Sequence, residues 1–148
     1  MNTTTLRFLF ALVLGAFALA APALAADGGT SVRGLLIVAS KTAGETDKRL
    51  AAYEGTLRNI LPGGYQTFRL LGEGSATAPA GGQATLNLAQ GHRLELAAPG
   101  GANFNIRWLR GNAVLMEQPV RLNRGSPSVL GGPAAGEGEV FAVILISN

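Results

Sequence analysis

The sequence predicts an α+β, mostly β fold: an antiparallel-rich sheet or sandwich of about seven or eight strands with one amphipathic helix after the first strand. Three features point there. Two segments, Val32–Ser40 near the start and Glu139–Ile146 at the end, carry consecutive apolar residues, so as strands they need cover on both faces. Only one segment, about Asp47 to Leu61, spaces its apolar residues as a helix does. From Tyr65 onward, short alternating runs are separated by glycine clusters, the pattern of strands and turns.

The first element is a leader. Met1–Arg7 is polar and carries one positive charge, and Phe8–Ala21 is an uninterrupted apolar run. Pro22 then breaks the helix, and Ala23 and Ala25 present the small side chains that a signal peptidase accepts. A retained anchor is the competing reading, since a span needs about 20 apolar residues. Pro22 and the neighbouring alanines favour cleavage after Ala25. The expectation is a signal peptide over 1–25, a single mostly-β domain over 26–148, and no stable membrane span after cleavage. Without cysteine there is no lipid attachment site. A cysteine-free exported chain of this style suits the bacterial periplasm or exterior.

The strand at Val32–Ser40 is expected at the centre of a sheet. In the helix, Leu50, Tyr53, Leu57, Ile60 and Leu61 share one face, Thr46 can cap the start, and Pro62-Gly63-Gly64 ends it. Gly55 inside the helix suggests a close approach by another backbone. Tyr65–Leu71 alternates as a strand, and Gly72–Gly82 reads as a small-residue connection, with Gly72-Glu73-Gly74 a flexible turn. Gln83–Ala97 is the clearest hairpin, turning at Gly91; Pro99-Gly100-Gly101 marks the next turn. Asn103–Arg110 sets Phe104, Ile106 and Trp108 on one side. Gly111-Asn112 closes a tight hairpin, and Pro119 marks Ala113–Leu122 as an edge strand or bulge. A short strand is expected near Val129 and Leu130. The final strand, Glu139–Ile146, should lie beside the first. The helix would then cover one face of their sheet and the remaining strands the other.

Composition narrows the chemistry. Apolar residues are 47% and charged residues 14%, which excludes a disordered charged tail. The absence of cysteine removes disulfides, thiol catalysis and iron–sulfur clusters, and one histidine excludes any site needing two. Arg7 leaves with the leader, so the net charge of +3 falls by one, and the remaining arginines are dispersed from Arg33 to Arg124. A nucleic-acid binder would concentrate them in a stripe. Gly72-Glu73-Gly74 is followed by no Lys-Ser or Lys-Thr, so it is not a phosphate loop. A Ser-His-Asp triad would have to draw on His92 and on Asp27 or Asp47. His92 shares parity with Leu94 and Leu96 and reads as a half-buried strand-end residue. Glu95, Glu117, Glu137 and Glu139 are the available paired carboxylates, but the sequence brings no two together. No catalytic residue, metal ligand or cofactor is expected.

Arg107-Trp108-Leu109-Arg110 is the most distinctive local sequence. Arginine and tryptophan are favoured at binding hot spots, which makes Arg107, Trp108 and Arg110 candidate partner contacts. The parity of Trp108 with Phe104 and Ile106 points it into the core instead. Further on, Val120–Gly132 (VRLNRGSPSVLGG) is an alternating strand, a glycine turn and a short apolar strand ending in Gly-Gly. This stretch resembles a hairpin of bacterial secretins, the outer-membrane channels of secretion and pilus systems. The resemblance implies a role in envelope assembly and carries no functional residue. The chain is too short for a secretin pore domain. The reading is therefore an exported, non-catalytic binding or structural module, an accessory of an envelope assembly, whose partner is another envelope protein. The alternatives are a carboxylate-dependent hydrolase of cell-wall or sugar substrates and a carrier of small apolar ligands.

Overall fold

The two doubly apolar segments are hydrogen-bonded neighbours at the centre of one sheet. A computed structural model of the protein describes residues 29–100 and 103–148. The leader expected over 1–25 lies outside the described residues, as does Gly101 of the turn expected at 99–101. The first strand, β1 (Thr30–Ser40), pairs antiparallel with the last, β8 (Glu139–Ser147), in continuous register from Val32↔Ser147 to Ser40↔Glu139. With β2 (Thr67–Ala78) and β7 (Ser128–Gly136) they form a four-stranded sheet, here sheet A, in the order β2-β1-β8-β7. Sheet B is a meander of β3 (Gln83–Asn87), β4 (His92–Gly100), β5 (Asn103–Arg110) and β6 (Ala113–Arg121). Mostly β content, eight antiparallel strands and one helical segment agree with the expected fold class.

Period-two alternation explains the layers. Val32, Leu36, Val38, Phe141, Val143 and Leu145 face sheet B, where Leu86, Leu94, Leu96, Phe104, Ile106 and Trp108 meet them. The other face of sheet A carries Leu35, Ile37, Ala39, Ala142 and Ile144, which pack on Leu50, Leu57 and Leu61 of the helical segment. Each large apolar side chain so buried contributes about 1.5–3 kcal/mol. The helix thus covers one face of sheet A and sheet B the other.

The helix differs in detail from the expectation. It opens as a 3-10 segment, Lys48–Tyr53, before α1 (Glu54–Ile60). Asp47, rather than Thr46, is the cap, its carboxylate accepting from the backbone N–H of Arg49. Three residues per turn followed by 3.6 rotates the apolar stripe. Leu50, Leu57 and Leu61 are buried, while Ile60 is turned outward and 47% exposed. No other backbone comes close to Gly55, since a Cβ there would meet nothing within 4 Å.

The expected connection at Gly72–Gly82 is the second correction. The strand starting at Thr67 continues through Gly72-Glu73-Gly74 to Ala78, with a bulge at Leu71 opposite Leu36 and Ile37. Glycine sits there because sheet B comes close. A Cβ on Gly72 would lie 2.6 Å from the Ala89 Cβ, and one on Gly74 would overlap the carbonyl oxygen of Asn87. β7 is also longer than expected, running to Gly136 with two irregularities in its register.

Elsewhere the turns fall where the residues demand. β3 and β4 form the expected hairpin. Arg110↔Ala113 leaves a two-residue turn whose Gly111 has φ +60°. β6 is an edge strand that carries Pro119 and a bulge at Leu115, both of which discourage pairing with a further strand. The stretch 120–132 runs from β6 of sheet B to β7 of sheet A, so in this protein it is a crossover between sheets.

Candidate functional site

The outer face of sheet B is polar, and among the described residues no helix lies over it. Pairing aligns Thr85, Glu95, Arg107 and Glu117 in one row across the four strands. The Arg107 guanidinium lies 3.6 Å from Glu95 and 3.7 Å from Glu117, and Arg93 reaches Glu95 at 3.8 Å. The charges alternate along the face. Asn105 donates from its amide to Glu117 at 3.5 Å. The row itself, with Ala97 and Asn105, lines a depression of about 320 Å3.

This face brings together Glu95 and Glu117, two of the carboxylates that the sequence left apart. Arg107 stands between them, and the face is open. A glycosidase needs its two carboxyl groups flanking a scissile bond in a cleft. Here both line one shallow depression, and the same guanidinium lies between them and pairs with each.

The three candidate contact residues do not share a surface. Arg107 lies on the outer face of sheet B and is about two-fifths exposed, 43% by its side chain. Trp108 is fully buried between the sheets, as its parity requires, and is not available for surface contact. Arg110 lies at the strand end, its guanidinium 5.5 Å from the Phe141 ring centre. The backbone alternation that aims Arg107 outward aims Trp108 inward.

His92 is more deeply buried than expected, at 1% exposure. Its Nδ1 accepts a hydrogen bond of 3.0 Å from the Trp108 indole Nε1–H. Burial, and secondarily the charge of Arg110, push its imidazole below the ordinary value. It is held inside the core with its Nδ1 taken by the indole. Parity with Leu94 and Leu96 was a signal for this depth.

An open groove of about 590 Å3 lies at the end of β1 and is lined by residues including Ser40, Thr42, Thr67, Arg69 and Glu139. Asp47 borders it, but its carboxylate is engaged. Hydrogen bonds from Arg49, first from the side chain and then from the backbone, hold the carboxyl at about 2. The space between the sheets is filled by Trp108, Phe104, Phe141 and their aliphatic neighbours. Among the described residues, no group of three or more His, Asp or Glu gathers to hold a metal, and no helix is long and apolar enough to cross a membrane. No family model, curated protein or solved structure matches the chain.

Proposed function

We propose that the protein is an exported, non-catalytic binding or structural module of a bacterial envelope, which engages another envelope protein through the outer face of sheet B. One observation carries the reading. The helix covers the outer face of sheet A, while the outer face of sheet B presents the row Thr85–Glu95–Arg107–Glu117 uncovered. Alternating charge on a rigid face selects a partner with complementary alternation, and contributes specificity and association rate more than raw affinity. It offers no unbroken basic stripe to a polyanion. Arg107 is the residue on which the contact centres, with Arg93, Glu95 and Glu117 around it. The leader pattern Pro22-Ala23-Leu24-Ala25 supports export.

The test is affinity capture from envelope extracts with the wild-type protein and an Arg107→Glu variant, read by mass spectrometry. Wild type should recover a reproducible protein that the variant loses, while both show the same circular dichroism. Recovery of only glycan or lipid, or the same protein with both baits, would overturn the reading. Fusing residues 1–26 to a reporter active only outside the cytoplasm tests export separately.

A further inference from the structure

His92 and Trp108 are the only histidine and the only tryptophan of the chain, and both lie in the core between the sheets. Indole nitrogen can only donate. The 3.0 Å contact from Trp108 Nε1 to His92 Nδ1 therefore requires a lone pair on Nδ1 and places the proton of the neutral ring on Nε2. That Nε2 is buried and has no hydrogen-bond partner. The imidazole therefore already leaves one polar group unsatisfied, and it has no second acceptor for an added proton.

Both residues belong to sheet B, and each ring packs against sheet A. The imidazole of β4 lies 4.7 Å from the Phe141 ring of β8, centre to centre. The Trp108 ring of β5 fits against Gly132 of β7 so closely that a Cβ there would overlap it. The charged groups around the imidazole offer an added proton no help. Arg110 on β5 acts on it with a positive charge. Arg93 on β4 is turned to the other face, donating to the Gly111 carbonyl and lying near Glu95. β8 and β7 meet the pair with Phe141 and Gly132, and the turn before β4 holds only the His92 backbone, through Ala89. No carboxylate acts on the ring.

We propose that the His92–Trp108 hydrogen bond is an acid-sensitive clasp within sheet B that holds both rings in place against sheet A. A proton taken from solvent onto Nδ1 uses the lone pair that held the indole N–H. Two N–H groups then face each other, a cation sits beside Arg110, and this end of the sandwich opens. The sign follows from burial. The folded imidazole binds its proton less readily than the unfolded one, so stability is full above about pH 6.5 and declines as pH falls through that value. The folded-to-unfolded ratio drops by at most about tenfold per pH unit until the folded group itself titrates. The clasp is independent of the partner proposed above and needs none for its test.

Trp108, as the only tryptophan, reports directly. Emission wavelength, acrylamide quenching and the urea midpoint are followed for the purified full chain between about pH 7.5 and about pH 5, above the range where ordinary carboxylates titrate. The expected result is red-shifted emission, stronger quenching and a falling midpoint in wild type. His92→Gln keeps an acceptor for the indole but cannot take up a proton in this range, so its readings should stay flat. Unchanged wild-type readings, or the same acid shift in His92→Gln, would overturn the proposal. Should the variant fail to fold, ring nitrogen-15 shifts of the wild-type histidine decide. An Nε2–H tautomer at pH 7.5 that is lost together with the indole proton shift on acidification supports the clasp, and an Nδ1–H tautomer refutes it.

Discussion

Gly74→Ala should destabilise the protein, against what strand propensity alone implies. In a strand interior glycine costs about 0.5–1 kcal/mol relative to alanine, because it loses more backbone freedom on folding. Propensity alone would therefore make the variant more stable. The structure reverses the sign. A Cβ at Gly74 overlaps the carbonyl oxygen of Asn87, a backbone atom that cannot rotate aside. Relief requires β3 to retreat from β2, and β3 carries Leu86, which is fully buried in the core. Overpacking of this kind costs about 1–3 kcal/mol. Subtracting the propensity gain leaves a net loss of about 0–2.5 kcal/mol, centred near 1 kcal/mol. Urea unfolding should show a lower midpoint with an unchanged slope. Gly55→Ala is the matched control. Its Cβ meets nothing within 4 Å, so the helix should gain about 1 kcal/mol. Opposite signs for two identical replacements are the expected result. A Gly74→Ala variant more stable than wild type by about the 0.5–1 kcal/mol that propensity alone implies would refute the close approach of the two sheets at this point.

Leu57→Ala removes a fully buried side chain between helix and sheet A and should cost about 3 kcal/mol by urea unfolding; a loss below about 1 kcal/mol would mean that the helix is not seated there. Asp47 is held at about 2 against an ordinary 3.8, so its contribution is present above pH 4 and fades as pH falls toward 2. The difference in urea midpoint between wild type and Asp47→Ala should accordingly narrow from about pH 5 to about pH 2, and a constant difference would contradict the assigned hydrogen bonds. Arg107→Ala should change stability by no more than about 1 kcal/mol, because its ion pairs are solvent-screened. It should nevertheless weaken capture of the partner; a large loss of stability would instead make Arg107 a structural residue.

The layer arrangement was legible because burial on both faces leaves a mark that few other environments leave. The run Leu35-Leu36-Ile37-Val38 and its counterpart Phe141–Ile146 could be satisfied only at the middle of a covered sheet, and they are. The Gly111-Asn112 turn and the inward parity of Trp108 were equally local facts. Gly72 and Gly74 misled because glycine marks both a turn and a close approach, and only the second sheet decides which. Asp47 and Thr46 are both good caps, and the 3-10 opening that selects Asp47 depends on how Leu50 reaches the sheet. At the candidate site, alternation gave the outward direction of Arg107. The row it forms with Glu95 and Glu117 required strand register, which glycine turns fix only once a bulge such as that at Leu115 is placed. The Trp108–His92 bond joins residues 16 positions apart and depends on the same register.

Pairing the opening strand with the closing one sets an order of assembly. Strands β3 to β6 can zip as consecutive hairpins, because each finds its neighbour next in line. β1 cannot finish in that way. Roughly 100 residues separate Ser40 from Glu139, about 5–20 s of synthesis, during which one side of its backbone has no strand beside it. An unpaired apolar edge left open that long is a nucleus for aggregation. The nascent chain should therefore depend on a holding chaperone until its final strand arrives, and any product truncated before Glu139 should be degraded rather than accumulate.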